Sequence, residues 1–264
     1  MTQPLLLEQL REFGVSISSG QLSNILTKNH DPLDREKEAL LIYAKQHSGY
    51  LQVDDTGARH QGKNGYCTFI GNHLFSYFKS TDSKSRINFL ELLNGIQGYC
   101  INDYALKYMV DQSLAPKYFT AVELIRNDCF TSTKKFQATL EELSINQKYA
   151  VRIITEAGLL GYLFKEGISE DMVILSDDAG QFNILTHALC WIHVERNLQK
   201  IHTYTPAQRE ELDQVLKAFW ELYQQLKAYQ QNHNQENKNL IISQFDHICD
   251  WQTKWIALKK GLDK

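Results

Sequence analysis

The chain has no large excess of charge of either sign. Its 28 lysines and arginines nearly balance 31 aspartates and glutamates, for a formal net charge of −3. That balance excludes a wholly basic nucleic-acid coat and still leaves room for a local basic face. Long apolar runs are also missing. None reaches the roughly 18–20 residues that a membrane helix needs, so no membrane partner is expected. The opening Met1-Thr2-Gln3-Pro4-Leu5-Leu6-Leu7-Glu8 has no charged stretch followed by a long apolar one, and does not read as a secretion signal. Cysteine is sparse and odd in number: Cys67, Cys100, Cys129, Cys190 and Cys249 are scattered and form no CxxC pair. The expectation is a reduced, cytoplasmic protein without a structural zinc finger. No internal repeat is visible. The 264 residues are 43% hydrophobic and 22% charged, ordinary for a globular chain of one or two domains. Disordered, collagenous and disulfide-scaffold classes are excluded.

The pattern along the chain changes period. Residues 1–49 read as helical. Leu5, Leu6, Leu7 and Leu10 form an apolar stripe that Gly14 ends at a left-handed position. Ser18 or Ser19 caps a second helix whose apolar positions Leu22, Ile25 and Leu26 fall at i, i+3 and i+4. Two short helices joined by a glycine turn describe a helix-turn-helix unit. A third helix follows Pro32 and runs to Gln46. Three antiparallel strands are then expected: Tyr50–Asp55, Tyr66–Ile70 and His73–Lys79. Thr56–Gly65 reads as a turn region, and Gly71-Asn72 as a hairpin turn. Residues 100–170 are mainly helical, with one long helix from Gln147 to Lys165 ended by Gly167. Asp171–Asp177 is a short apolar strand of the kind buried on both faces, and Ala188–His193 reads as one more. After Pro206, a long helix, a polar connector over Gln230–Asn237 and a second helix from Leu240 to Leu258 make a helical hairpin.

Two acidic doublets, Asp54-Asp55 and Asp177-Asp178, sit where apolar strands leave the sheet. Carboxylates at a sheet rim are reachable by ligands. Alternation along a strand lets only one member of each doublet join a shared site. Hard oxygen donors suit Mg²⁺ or Mn²⁺, and two such ions support phosphodiester chemistry. The other reading makes the doublets turn and cap residues. Cys190-Trp191-Ile192-His193 offers two zinc-type ligands with no second pair, so a buried Cys and Trp at a strand end is the favoured reading. His193 remains available as a proton carrier or phosphate ligand. Lys84 and Arg86 flank Ser85 at a helix start, which suits either a phosphate or a solvated end. Arg196, Asn197 and Lys200 near His193 face either DNA or water. Gln21, Ser23, Asn24 and Lys28 are the candidate base and phosphate contacts of the helix-turn-helix. Equally, that unit reads as a packing hairpin.

The order Val53-Asp54-Asp55-Thr56-Gly57-Ala58-Arg59, Ser176-Asp177-Asp178-Ala179-Gly180-Gln181-Phe182 and Leu189-Cys190-Trp191-Ile192-His193-Val194-Glu195-Arg196 resembles bacterial insertion-sequence transposases of the sixty-six type. The resemblance covers roughly residues 1–200. It implies an α/β fold: an RNase H-like mixed-sheet core over residues 50–200 with a helical insert at about 100–170, behind a helical N-terminal region. Residues 201–264 would be a helical hairpin insertion. It implies a DDE enzyme in which Asp54 and Asp177 are catalytic metal ligands. His193, Cys190, Trp191 and Arg196 would be accessory; Lys84 and Arg86 are DNA-contact candidates from the residues alone, not from the resemblance. Two Mg²⁺ or Mn²⁺ ions, held with a later glutamate, would activate water to cut double-stranded DNA at the element ends. The freed 3′-hydroxyl would then attack target DNA. Self-association and a cytoplasmic, nucleoid-associated location are implied as well. Where the family reads Asp-Glu-Thr, this chain has Asp54-Asp55-Thr56. The Asn-rich segment ending Glu-x-x-x-Arg, which carries the third acid, has no match here, nor does the family's N-terminal zinc-binding region. The spacing of 123 residues between positions 54 and 177 is long for a minimal core. A truncated copy is expected from these departures, with two alternatives: a non-catalytic DNA-binding or dimerising remnant, and a host metal-dependent nuclease.

Overall fold

A computed structural model describes residues 2–60, 62–95 and 98–263. The protein is mixed α/β, with a five-stranded mixed sheet and many helices. It divides into two compact units. The first holds residues 1–175 and 179–187, and the second holds residues 176–178 and 188–264.

The first unit opens with three helices, α1 (Gln3–Glu12), α2 (Ser19–Thr27) and α3 (Asp31–His47). Gly14, at φ 78°, follows the end of α1 in the left-handed region. Ser18 caps α2 reciprocally: its hydroxyl accepts from the Gln21 amide at 3.1 Å, and the Gln21 side chain accepts from the Ser18 amide at 2.9 Å. Of the expected apolar face of α2, only Leu22 is buried; Ile25 and Leu26 are 62% and 47% exposed. The i, i+3, i+4 pattern is present, but among the described residues nothing in this unit covers that part of the face.

The sheet is ordered β3-β2-β1-β6-β7. β1 (Tyr50–His60), β2 (Lys63–Gly71) and β3 (Ser76–Thr81) are successive antiparallel strands. β6 (Val173–Ser176) lies parallel to β1, in the register Tyr50↔Val173 to Gln52↔Leu175. β7 (Thr186–Leu189) is the far edge. Leu51 and Val53 are buried and Gln52 between them is exposed, the period-2 pattern of a strand with one core face. β6 is less enclosed than expected, since Val173 and Leu175 are only half-buried.

The expected turn over Thr56–Gly65 is largely strand; Gln61 lies outside the described residues. β1 and β2 stay paired through Gly57↔Tyr66 and Ala58↔Gly65. A Cβ at Gly65 would lie 2.9 Å from the Ala58 carbonyl oxygen. This glycine permits close strand approach rather than marking a turn. The third strand starts at Ser76 instead of His73, because residues 72–75 form the turn: the Asn72 side chain accepts from the Leu74 amide at 2.8 Å.

Helix α4 (Arg86–Asn94), capped by Ser85, leads to a small second sheet of β4 (Tyr99–Cys100) and β5 (Cys129–Phe130). Between and after these strands lie α5 (Asp103–Asp111), α6 (Pro116–Glu123), α7 (Thr133–Glu142) and α8 (Lys148–Lys165). Helix α8 is buried around most of its circumference and packs on α4, α5 and β4. Cys100 and Cys129 are register partners and are joined as a disulfide, correcting the expectation of reduced thiols. Pairing of β4 with β5 brings together cysteines 29 residues apart, which no sequence spacing announces.

In the second unit, α9 (Trp191–Gln199) replaces the strand expected over Ala188–His193. β7 ends at Leu189 and Cys190 is the residue just before the helix. Helix α10 (Pro206–Gln231) and α11 (Gln235–Cys249) form the expected hairpin. The helix expected to run on to Leu258 instead breaks, and α12 spans Ile256–Leu262. Thr253 Oγ1 accepts from the Trp255 amide at 3.0 Å, a local bond that competes with the helical ladder. Buried Leu198, Leu212, Val215 and Leu258 form this unit's core.

Among the described residues, no helix is long and apolar enough to cross a membrane.

Candidate functional site

Asp54 and Asp55 lie in the middle of the long strand β1, and both are half-buried. The Asp54 carboxylate accepts from the Asp55 amide at 2.8 Å. Asp55 is committed elsewhere. Its Oδ1 accepts the Thr68 hydroxyl at 2.5 Å, and its Oδ2 accepts the Gln181 side-chain amide at 3.1 Å. The two neighbours thus separate in role, as strand alternation requires. Asp55 ties β1 to β2 and to the 3-10 turn over Gly180–Phe182.

That turn starts one residue beyond Asp177-Asp178. It has two further anchors in the first unit. Phe182 is fully buried and packs edge-on against Phe89, centroids 4.9 Å apart. The Arg86 guanidinium donates to the Gly180 carbonyl oxygen. Arg86 therefore turns inward. It also donates to the Tyr108 hydroxyl at 2.8 Å and lies 3.8 Å from the buried Glu156 carboxylate. Tyr108 donates to Glu156 at 2.7 Å, and Arg152 donates to it at 3.0 Å. Burial, reinforced by the Glu156 carboxylate, pushes the Tyr108 phenol up to about 12. Lys84, expected beside Arg86 on a phosphate, is exposed, with its ammonium 5.6 Å from the Tyr66 ring centroid.

Gln52 and Leu175 are the last register pair of parallel β1 and β6. Asp54 stands two residues beyond the first of them and Asp177 two residues beyond the second. Asp54 belongs to the first unit and Asp177 to the second.

Within the second unit, Asp177 is half-buried and Asp178 exposed. The backbone here is held on both sides: Ser176 Oγ donates to the Asp177 carbonyl at 2.6 Å, and the Cys190 amide donates to the Ser176 carbonyl at 2.7 Å. A cavity of about 420 Å³ opens beside it, lined by Asp177, Asp178, Cys190, His193, Asn197 and Lys260 among others. His193 therefore shares a cavity with Asp177. Trp191 does not line that cavity. It stacks on Phe219 with centroids 4.0 Å apart and packs near Tyr223, which fixes α9 against α10. Arg196 is exposed on α9.

In the N-terminal helices, Gln21 is spent on the cap of α2 and Ser23 is half-buried, while Asn24 and Lys28 are exposed. Sequence reasoning missed Gln181, Glu156, Tyr108 and Lys260. Gln181 was within view, three residues after the second doublet. The others sit in helices whose contacts come from distant parts of the chain.

Among the described residues, no three His, Cys, Asp or Glu side chains gather as a metal-ligand group. By their chemistry, the Asp54 and Asp177 carboxylates are each hard oxygen donors of the kind that suit Mg²⁺, which commonly binds through one or two carboxylates with water and substrate phosphate completing its shell.

No known family profile matches the chain, and no solved structure does. A curated relative from Sinorhizobium fredii, called uncharacterized protein y4jO, is 40% identical over 182 residues. The match takes in 68% of this chain and 57% of that protein, so the chain spans less than two thirds of its relative's length.

Proposed function

We propose that the chain carries the acid pair of a DDE-type DNA transposase core with an RNase H-like sheet. The observation that carries the reading is the parallel pairing of β1 with β6. Its register stops at Gln52↔Leu175, two residues short of Asp54 and of Asp177. The three motifs in chain order support it as well. Asp54 and Asp177 would hold Mg²⁺ or Mn²⁺. When bound, such ions supply an activated water and charge stabilisation at the leaving oxygen. Asp55, through Gln181, and Arg86, through Gly180, hold the turn that follows the second acid. His193, which lines the cavity beside Asp177, would move a proton there.

The substrate is double-stranded DNA, and transposition with strand transfer is the activity of the full reading. The alternative reading is a non-catalytic DNA-binding remnant. Nicking of supercoiled plasmid in Mn²⁺ separates them. The expected outcome is nicking by the native chain, with Asp54→Ala and Asp177→Ala each below detection while circular dichroism stays native. Activity surviving either substitution rejects the acid pair. DNA binding without nicking by the native chain selects the remnant.

A further inference from the structure

The cavity beside Asp177 has an uneven charge lining. Asp177 and Asp178 bring two negative charges, and Lys260 brings one positive charge from a different element. Cys190, His193 and Asn197 complete the polar part of its wall. Its volume of about 420 Å³ falls within the range of small-ligand clefts, roughly 300–1,000 Å³.

Lys260 comes from α12, and the packing of α12 is specific. Leu258 is fully buried among Leu198, Leu212 and Val215, and Leu262 packs on the same cluster. These two positions are i and i+4, one face of the helix. Ala257, Lys260 and Gly261 fall on the cavity side and line it. Gly261 lets α12 approach α9 closely: a Cβ there would lie 2.9 Å from Ile201 Cδ1 and 3.4 Å from Leu198 Cδ2. An exposed lysine is thus carried by a helix whose other face is locked into a core.

We infer that this cavity takes a phosphodiester of a nucleic-acid strand and that Lys260 is its phosphate-binding residue. The inference rests on the acid-pair reading, because the charges balance only with a divalent cation. Two carboxylates and one ammonium repel an anion on balance. A divalent cation held at Asp177, as the acid-pair reading requires, would turn the lining net positive by one, matching the one negative charge of a phosphodiester. Lysine acts here as a point charge on a phosphate oxygen.

The test is fluorescence anisotropy of a short, labelled, single-stranded oligothymidylate on the full chain, with Mg²⁺ and with EDTA, over a salt series. The native chain is expected to bind more tightly in Mg²⁺. Lys260→Gln should weaken binding several-fold in Mg²⁺ and reduce the slope of log K against log salt by about 0.7, one single-strand phosphate contact. Lys260→Arg should restore both. Lys259→Gln, on an exposed neighbour outside the cavity lining, should change neither. An unchanged affinity and slope in Lys260→Gln overturns the inference. So does an equal loss in Lys259→Gln, which would mark diffuse attraction, or no oligothymidylate binding at all. Plasmid nicking by Asp54→Ala and Asp177→Ala judges the acid pair separately, so either idea can fail alone.

Discussion

Lys45 shows how burial sets a single residue's chemistry. It lies on α3, 6% exposed, and its ammonium donates to the carbonyl oxygens of Leu93 and Asn94 at the end of α4. Positive charge suits that helix end. Desolvation nevertheless lowers its pKa to about 8, against a smaller opposing pull from Glu166. The unfolded chain holds this proton to about 10.4. Between the two values the unfolded state binds more protons, so this group's contribution makes stability rise with pH across the window. Its penalty is fully present below about 8. Lys45→Met removes the group. Urea denaturation from about pH 7 to pH 10 should show the native chain gaining on Lys45→Met by a few kcal/mol at most, on the order of 3. A flat difference would refute the assignment. Glu156 is the opposite case, a buried carboxylate with its charge answered by Arg86 and Arg152. Glu156→Ala strands the Arg86 charge, 16% exposed, and should cost about 3–5 kcal/mol in denaturant titration. Tyr108→Phe loses two hydrogen bonds, one accepted from Arg86 and one donated to Glu156, and leaves both charges in place, so about 1–3 kcal/mol is expected.

At the scale of elements, helix α8 sets propensity against packing. Gly161 sits in its interior, where alanine would be favoured by about 1 kcal/mol. A Cβ at that position would collide with the Cys100 carbonyl oxygen and stand 2.7 Å from Asn102 Oδ1. Asn102 also caps α5 and donates to the Gly161 carbonyl, so neither neighbour can give way cheaply. Gly161→Ala should therefore destabilise by about 1–3 kcal/mol despite its better propensity. Gly158→Ala, where the nearest atoms are side-chain carbons at 3.3 Å, should cost less. A stabilised Gly161→Ala in thermal melts would show that α8 and β4 do not pack this closely. Much of the element pattern was legible locally. Ser18 and Gln21 announce a helix start by their spacing, and Gly167, at φ 90°, ends α8 as expected. Gly65 misled, because a glycine spared for a close cross-strand approach looks the same in sequence as one spared for a turn. The break before α12 misled for a similar reason. Trp251, Trp255 and Leu258 keep helical spacing although bonds from nearby side chains interrupt the ladder.

At the scale of the whole molecule, the proposed function depends on a long parallel connection. β1 and β6 are neighbours in the sheet although four strands, β2 to β5, and five helices, α4 to α8, intervene in the chain. If Asp54 and Asp177 act as a unit, their substitutions should not multiply. With asparagine at both positions, the nicking rate should fall about as far as in the worse single variant. A product of the two losses would indicate independent roles.

The sequence by itself determined where apolar periodicity and caps start and stop elements, and it singled out both acidic doublets, although it put Asp54-Asp55 at a strand end where β1 in fact runs on to His60. Those signals are local, written within a few residues of where they act. Tertiary structure alone decided that Asp55 binds Thr68 and Gln181, that Arg86 turns inward to Glu156, and that Cys100 meets Cys129. It also decided that Lys260 lines a cavity with Asp177 and His193. Each of these depends on pairing, register or packing between segments far apart in the chain, and no spacing within a single segment encodes it.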